Sequence, residues 1–403
     1  MNYLEERISP FSPGKPADSE YFVGREIELN RILRSGYQVS KGKQESIYIA
    51  GDFGIGKSSL AYFAKEAMFD QFKLIGFHVY LGNVDSIEAM TEKIVECTLK
   101  ELHRIKAIDR VRVYLGKYIK EFSFLGIKIN TEALKHDIPS LSTDLVSFLT
   151  EVYMSLSTDY KGIVLILDDL NGIVKNPQFA FLIKSSIDTI ATSRIDLPLF
   201  LILSGTESRR QTLISHHQSV ARIFSVVDVG PLSEKETADF FVNSFQKVGF
   251  TIEEKSLVAL VTNSKGIPRL MHEMGDGIFW YAKTKNIDNN TVNAGIKIAY
   301  YELGRKYFAP IKNIIGSHEH LSILTAIINN SQNMGDTIFF NKQRVINELN
   351  ETDKLKIDNL LLKLKRNNAI QSDDQKDDWI FNDLLTFMYL KFELQNLDLR
   401  KNQ

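Results

Sequence analysis

The chain has 403 residues, of which 44% are hydrophobic and 25% are charged, and its formal net charge is −1. This composition predicts a folded protein of two or three domains, and it argues against a protein that coats nucleic acid with its whole surface, although a local basic patch remains compatible. The single cysteine, Cys97, has no partner for a disulfide, and no apolar run is long enough to span a bilayer. We therefore expect a cytoplasmic protein without a membrane partner.

A phosphate-binding loop is predicted within IYIAGDFGIGKSSLAYFAKEA, residues 47–67, between a buried strand and a helix. The loop matches G-x-x-x-x-G-K-[ST] from Gly51 to Ser58. Its glycines permit conformations that let successive N–H groups converge on phosphate oxygens at the helix N-terminus. Lys57 is expected to bind the β and γ phosphates, and the Ser58 hydroxyl to bind Mg²⁺. The residues predicted to bind ATP or ADP here are Gly51, Asp52, Phe53, Gly54, Ile55, Gly56, Lys57, Ser58 and Ser59.

Two carboxylates follow a second buried strand. Ile163 to Leu167 form an aliphatic run typical of a central parallel strand, and Asp168 and Asp169 stand at its carboxyl end. Open α/β sheets bind their ligands at that edge. Asp168 is the expected Mg²⁺-side carboxylate, and Asp169 is expected to polarise the attacking water. Because Asp is shorter than Glu, the base reaches less far toward that water, which favours slow hydrolysis.

Alternating strands and helices connect these motifs and predict a parallel sheet. The predicted strands span 74–81, 163–167 and 197–205, and the predicted helices span 86–104, 142–157 and 178–192. An insertion at 106–140 contains KEFSFLGIKINTE, whose alternation is typical of a hairpin. After Pro231 we expect helices only, at 233–248, 253–263 and 267–284, and then a linker containing Gly304, Pro310 and Gly316.

The ordered set FVGRE, GDFGIGKS, LILDDL, LILSGTE, RIFSVVDVGPLSEKE and GIPR resembles the AAA+ ATPases of the origin-recognition and helicase-loader type. The resemblance covers about residues 9–285 and, more loosely, the rest of the chain. It implies an α/β fold: an N-terminal arm at 1–20, a parallel-sheet P-loop AAA+ core at 21–231, an α-helical lid at 232–303 and a winged helix at 317–395. It also implies an ATPase that forms a homo-oligomer.

The resemblance assigns further roles to single residues. Ser204 takes the sensor 1 position that orients the attacking water, with Thr206 or a plain turn residue as the alternatives. Arg269 in GIPR takes the sensor 2 position, where a guanidinium would report the γ phosphate through bidentate contacts. A surface salt bridge is the alternative for Arg269. The arm is expected to wrap the nucleotide base, although Phe22 is as readily a core residue. The residues expected on the base side are Phe22, Val23 and Gly24.

An arginine finger for a neighbouring subunit is expected near the last core strand. Such a finger neutralises charge that develops during phosphoryl transfer. Arg209, Arg210 and Arg222 are all candidates, and Arg222 is favoured because it directly precedes FSVVDV.

The third region, 317–395, resembles a winged helix with three helices and a hairpin wing at DDQKDD. In DNA-binding examples the third helix enters the major groove. The residues predicted to contact DNA phosphates are Lys354, Lys356, Lys363, Lys365 and Arg366. Acids in and beside the wing oppose this role, and they are Asp373, Asp374, Asp377, Asp378 and Asp383. Duplex DNA and a protein partner therefore both remain open.

Two functions follow from these patterns. The first is an oligomeric ATPase that acts on duplex DNA, with hydrolysis that is slow until a partner or DNA stimulates it. The second is a switch of the STAND type, in which nucleotide exchange regulates a protein partner and slow hydrolysis resets the switch.

Overall fold

The computed structural model describes residues 8–14, 22–110, 122–123, 128–129, 145–192, 195–316, 319–334, 337–373 and 377–401. The chain divides into two compact units. The sheet unit comprises the described residues of Arg25–Gly51 and Lys57–Val229, and the helical unit those of Met1–Gly24, Asp52–Gly56 and Gly230–Gln403. No helix in the described ranges is both long and apolar enough to cross a membrane.

The sheet unit alternates strands and helices. Its elements are α1 (Glu26–Val39), β1 (Glu45–Ala50), α2 (Lys57–Phe72), β2 (Leu74–Tyr80), α3 (Ile87–Arg104), β3 (Phe122–Ser123), β4 (Lys128–Ile129), α4 (Leu145–Leu156), β5 (Gly162–Asp168), a 3₁₀-helix (Ile173–Lys175), α5 (Pro177–Thr192), β6 (Leu199–Gly205), α6 (Glu207–His216), a 3₁₀-helix (Gln218–Arg222) and β7 (Ser225–Asp228).

Five strands form a parallel sheet in the order β2-β5-β6-β1-β7, which confirms the predicted parallel α/β core. Every residue of β5 and β6 is buried, because helices cover both faces of a parallel sheet and only apolar runs suit that position. The strands β3 and β4 pair antiparallel within the predicted insertion, and most of the rest of 106–140 lies outside the described residues.

The helical unit contains more elements than we predicted. They are α7 (Glu234–Lys247), β8 (Thr251–Ile252), α8 (Glu254–Ser264), α9 (Pro268–Tyr281), β9 (Asn286–Ile287), α10 (Asn289–Lys306), α11 (Ala309–Gly316), α12 (Leu321–Asn330), β10 (Gln332–Met334), β11 (Thr337–Asn341), α13 (Lys342–Asn347), α14 (Glu351–Lys354), α15 (Ile357–Arg366), β12 (Ile370–Asp373), β13 (Asp378–Phe381) and α16 (Leu384–Lys401).

Two expectations for the region after Pro231 are wrong. It does not hold helices only, because β8 and β9 form a short parallel pair. The expected linker is helical, since α10 continues through Gly304 and α11 contains Pro310 in its first turn, where the missing N–H group costs nothing. Glycine suits position 304 of α10, because a Cβ there would lie only 2.6 Å from the Tyr389 hydroxyl oxygen.

The third region combines the three predicted helices α12, α13 and α15 with a hairpin of β12 and β13. The strands β10 and β11, which we did not predict, extend that hairpin into a four-stranded antiparallel sheet. Two stacked aromatic pairs join this part of the chain to α16. Tyr300 on α10 stacks on Phe392, and Phe308, just before α11, stacks on Tyr389, with ring centroids 4.0 and 4.5 Å apart. The last helices of the predicted lid and the third region therefore share one hydrophobic core.

Candidate functional site

The phosphate-binding loop links β1 to α2. Gly54 and Gly56 have φ angles of 77° and 97°, in the left-handed region that favours glycine. In the sheet unit, Lys57 Nζ donates to the carbonyl of Gly51 at 2.9 Å. In the helical unit, the N–H of Ile55 donates to the carbonyl of Asp52, and the Ile55 side chain is buried. Phe53 is exposed, while Ser58 and Ser59 in the first turn of α2 are half-buried.

Asp168 ends β5 and is 1% exposed. Its register partner on β6 is Ser204, and Nε2 of His78 on β2 lies 3.0 Å from its Oδ2. Burial raises the pKa of Asp168, but the hydrogen bond and charge of His78, followed by the hydroxyls of Ser58 and Ser204, outweigh burial and lower the pKa below its usual value. The carboxylate is therefore ionised at neutral pH, as a Mg²⁺ ligand must be.

Asp169 takes a left-handed conformation with φ 59° directly after β5. Asn171 Nδ2 donates to its Oδ1, and Nε of Arg209 donates to Oδ1 of Asn171 at 3.3 Å. Burial, followed by the charge of Asp168, raises the pKa of Asp169. A carboxylate with a raised pKa holds a proton more readily, which suits a general base.

Ser204 lies one residue before the end of β6 and is completely buried. Its Oγ lies beside the Asp168 carboxylate and contributes to the lowered pKa of that group. Thr206, the alternative, precedes α6 and does not cap it with its side chain. A buried hydroxyl directly beside Asp168 favours Ser204 over Thr206 as the residue that orients a water molecule.

The three candidate fingers occupy different places in the sheet unit. Arg209 lies at the carboxyl edge of the sheet through its bond to Asn171. Arg210 is paired with Glu207 through two bonds of 2.7 Å. Arg222 is exposed at the opposite edge, before β7, where it lines a pocket of about 460 Å³. Arg222 thus lies near the amino ends of the strands, whereas Asp168 and Ser204 lie at their carboxyl ends.

The arm packs against α9 in the helical unit. Ser9 Oγ donates to Asp276 at 2.6 Å, Phe11 is buried, and the N–H of Ser12 donates to Nδ1 of His272 at 3.2 Å. Residues 15–21 lie outside the described residues, so wrapping of a base by the arm stays a prediction.

The predicted base-side residues lie at the end of the arm. Phe22 is half-buried, and Val23 packs against the core of the helical unit. Gly24 has a φ angle of 70°. A Cβ at Gly24 would lie 2.2 Å from Oε1 of Glu236, so any other residue there would have to displace that side chain.

Arg269, the predicted sensor, lies in the first turn of α9 against the loop residues 52–56. Its N–H donates to the carbonyl of Gly54 at 3.1 Å, and its guanidinium packs against the rings of Phe53 and Tyr307. Nη1 is buried without a hydrogen bond to any described residue, and no described carboxylate pairs with Arg269. The alternative of a surface salt bridge is therefore not observed within the described part of the chain.

Most of the predicted DNA-contacting residues interact within the third region. Lys354 pairs with Glu351 at 2.7 Å, and Lys356 lies 3.7 Å from Glu319. The remaining contacts are Lys363 with Nε2 of His320 at 3.2 Å and Lys365 with Oγ of Ser372 at 2.7 Å, while Arg366 is exposed. Of these five residues, Lys365 and Arg366 at the end of α15 are the exposed ones.

The residues present fit a nucleoside triphosphate with Mg²⁺. Gly54 and Gly56 take the left-handed conformations that let loop N–H groups point at a phosphate, and Arg269 Nη1, beside the loop residues 52–56, is a buried donor without a partner among the described residues. No group of three or more His, Cys, Asp or Glu side chains in the described ranges could hold a metal ion. Ser58 and Asp168 are the residues that would bind Mg²⁺, together with substrate phosphates.

Sequence reasoning missed His78, Asn171, Phe53 as an aromatic contact, and Tyr307. The signal for His78 is a single polar residue inside the apolar strand LIGFHVYL. Because that strand is buried, a histidine there needs a polar partner, and Asp168 supplies it.

Two solved structures share this architecture over nearly the whole chain. The Walker-type ATPase of Pyrococcus abyssi aligns with 16% identity over 96% of this chain and 99% of its own, with a TM-score of 0.54. The ORC2 protein of Aeropyrum pernix, in ADPNP–ADP complexes, aligns with 12% identity over 96% and 99%, with a TM-score of 0.52. The chain has the P-loop AAA+ fold. Neither a protein-family model nor a curated protein matches the sequence.

Proposed function

We propose that this protein binds ATP and hydrolyses it slowly to ADP and phosphate. The observation that carries the proposal is the pair of Asp168 and Ser204, side by side at the carboxyl edge of the sheet, where β6 also neighbours the strand that leads into the glycine loop. An ionised carboxylate next to a buried hydroxyl suits a hydrated metal–phosphate group. The Walker-type ATPase and the ADPNP–ADP complexes of the two similar structures support the same substrate class.

Each residue has a defined role in this proposal. Loop N–H groups and Lys57 bind the β and γ phosphates, and Phe22, Val23 and Gly24 lie on the base side. Ser58 and Asp168 bind Mg²⁺, which when present neutralises negative charge on the phosphates. Asp169 accepts the proton of the attacking water, Ser204 orients that water, and Arg269 contacts the γ phosphate.

The proposal includes a homo-oligomer. Arg222 is exposed at the edge of the sheet opposite Asp168 and Ser204, so it would serve the site of a neighbouring copy. Arg209 and Arg210 are committed to Asn171 and Glu207 within their own chain, which makes them poorer fingers.

Duplex DNA is the proposed target of the third region, through Lys365 and Arg366 at the end of α15. Their exposure favours this target. A nucleotide switch that regulates a protein partner is the second candidate. Two observations favour this switch. Lys354 and Lys356 already pair with nearby acids, which leaves less positive charge for DNA. Asn171 hydrogen-bonds the Asp169 carboxylate, which supports slow hydrolysis.

Equilibrium binding of a fluorescent ATP analogue tests the proposed nucleotide site. Lys57→Ala removes the charge that faces the β and γ phosphates, and we expect most of the affinity to be lost. Lys43→Ala is the matched control, because Lys43 is an exposed lysine in the turn before β1. Equal affinity of Lys57→Ala and the wild type would exclude this loop as the phosphate site.

A further inference from the structure

The guanidinium of Arg269 sits in an aromatic corner formed by Phe53 and Tyr307. Its central carbon lies 4.5 Å from the ring centre of Phe53 and 4.4 Å from that of Tyr307. The two rings meet edge to face, with an interplanar angle of 66°. A cation at these distances from two ring faces is attracted to both, so the corner limits the directions in which the guanidinium can point.

The backbone keeps Arg269 close to the glycine loop. Besides the hydrogen bond from Arg269 N–H to the Gly54 carbonyl, the two residues pack so tightly that a Cβ at Gly54 would lie 2.9 Å from Cβ and 3.3 Å from Nε of Arg269. Any side chain at Gly54 would displace the arginine. The corner thus depends on glycine as well as on the two rings.

A neighbouring acid, Glu273, is paired with another cation. Glu273 lies one turn after Arg269 on α9, and both of its carboxylate oxygens accept from Lys306 Nζ at 3.0 Å. Burial raises the pKa of Glu273, although Lys306 and then Arg269 act in the opposite direction. Because the Glu273 carboxylate pairs with Lys306, Nη1 of Arg269 is a buried donor without an acceptor in the described residues. A buried guanidinium N–H is costly unless an acceptor arrives, and an anion at the loop would provide one.

We propose that Phe53 and Tyr307 are positioning residues that aim Arg269 at the γ phosphate and thereby set the preference for ATP over ADP. This inference rests on the proposed nucleotide site. Phe53 occupies a variable position of the loop pattern, and Tyr307 lies 38 positions beyond Arg269 in sequence, so the pattern specifies neither aromatic side chain. Without the rings, the guanidinium would sample more orientations and contact the γ phosphate less often.

Calorimetric titration of the full chain with ADP and with the non-hydrolysable analogue ADPNP tests the corner. In Tyr307→Leu we expect the ratio of ADPNP affinity to ADP affinity to fall about fivefold or more. The affinity for ADP should not change, because the substitution weakens only the contact of Arg269 with the γ phosphate, which ADP lacks. Tyr307→Phe keeps the ring and should keep the wild-type ratio. Phe53→Leu, at an exposed position, provides a second test that does not depend on folding of the first variant.

Tyr301→Leu is the matched control, because Tyr301 lies in the last part of α10, shortly before Tyr307, and is likewise near cations, with Lys312 Nζ 5.0 Å and Arg305 5.8 Å from its ring centre. It should leave the ratio unchanged. An unchanged ratio in both Tyr307→Leu and Phe53→Leu would overturn the positioning role while the nucleotide site stands. A wild-type protein that binds neither nucleotide would instead overturn the proposed function and this inference with it.

Discussion

The side chain of Asp169 is fixed by its surroundings rather than by its place in a motif. Its backbone is left-handed, and Asn171 donates to one of its carboxylate oxygens. A Cβ at Gly82 would lie 2.7 Å from its other oxygen, Oδ2, so glycine makes room for this arrangement. A carboxylate held in this way is oriented before substrate arrives, but its bond to Asn171 must loosen if that oxygen is to accept a proton.

We therefore expect Asp169→Asn to retain ATP binding and to lose most of the hydrolysis rate, since the amide keeps the shape but accepts no proton. Steady-state ATPase assays together with equilibrium binding check this expectation. Asp85→Asn, an exposed carboxylate in the sheet unit, is the control. Hydrolysis at the wild-type rate in Asp169→Asn would assign the base to another residue.

Some residues of the candidate site can be predicted from the sequence, and others cannot. Asp168 and Ser204 are predictable because a buried strand that ends in a polar residue delivers it to the carboxyl edge of a parallel sheet. His78 is not, because its contact with Asp168 depends on the neighbour relation of β2 and β5, which lie far apart in sequence. Tyr307 is missed for the same reason, since only tertiary packing brings it to Arg269.

At the level of elements, the start of α7 depends on a reciprocal cap. Ser233 Oγ accepts from the N–H of Glu236, and a carboxylate oxygen of Glu236 accepts from the N–H of Ser233 at 2.8 Å. The same glutamate lies against Gly24. Displacing the glutamate would remove one half of the cap, which typically contributes about 1 kcal/mol to the free energy of unfolding.

Gly24→Ala should accordingly lower the free energy of unfolding by about 2 kcal/mol or more, because it adds a collision with Glu236 to the strain of a left-handed alanine. Gly42→Ala separates the two effects: Gly42 has a φ angle of 86° and a Cβ added there would meet no atom within 4 Å, so we expect a loss of about 1 kcal/mol. Chemical denaturation of both variants measures the difference. Equal losses would show that contact with Glu236 contributes nothing.

Most of the helices and strands can be predicted from the local sequence pattern, and those that cannot have identifiable physical causes. The predicted strand at 163–167 and helix at 86–104 agree closely with β5 and α3, since aliphatic runs and helical spacing report burial directly. The helices α10 and α11 were mistaken for a linker because Gly304 and Pro310 favour loops locally. For Gly304, packing against Tyr389 of α16 outweighs the local preference for a loop. For Pro310, a position in the first turn of α11 makes proline compatible with the helix.

For the whole molecule, Arg222 tests whether copies of the chain cooperate. Arg222→Ala should bind ATP normally and lose roughly 10³–10⁵ of the stimulated hydrolysis rate, as expected for loss of a finger. The specific activity of the wild type should also rise with protein concentration. Arg34→Ala, an exposed arginine on α1, is the control. Specific activity that does not depend on concentration would contradict action between subunits.

Substitutions in the third region can distinguish the two candidate targets, which are duplex DNA and a protein partner. If the end of α15 contacts duplex DNA, the double variant Lys365→Glu, Arg366→Glu should abolish binding, and neutralising Lys365 alone should lower the salt-dependence slope by about one unit. Lys283→Glu, Lys285→Glu makes the same charge change at exposed positions outside this region and should bind like the wild type. Fluorescence anisotropy with a labelled duplex, from low to moderate salt with ATP or ADP, measures both quantities. Wild-type protein that does not bind at low salt with ATP would exclude duplex DNA, and the protein-regulating switch would then be the better account of the third region.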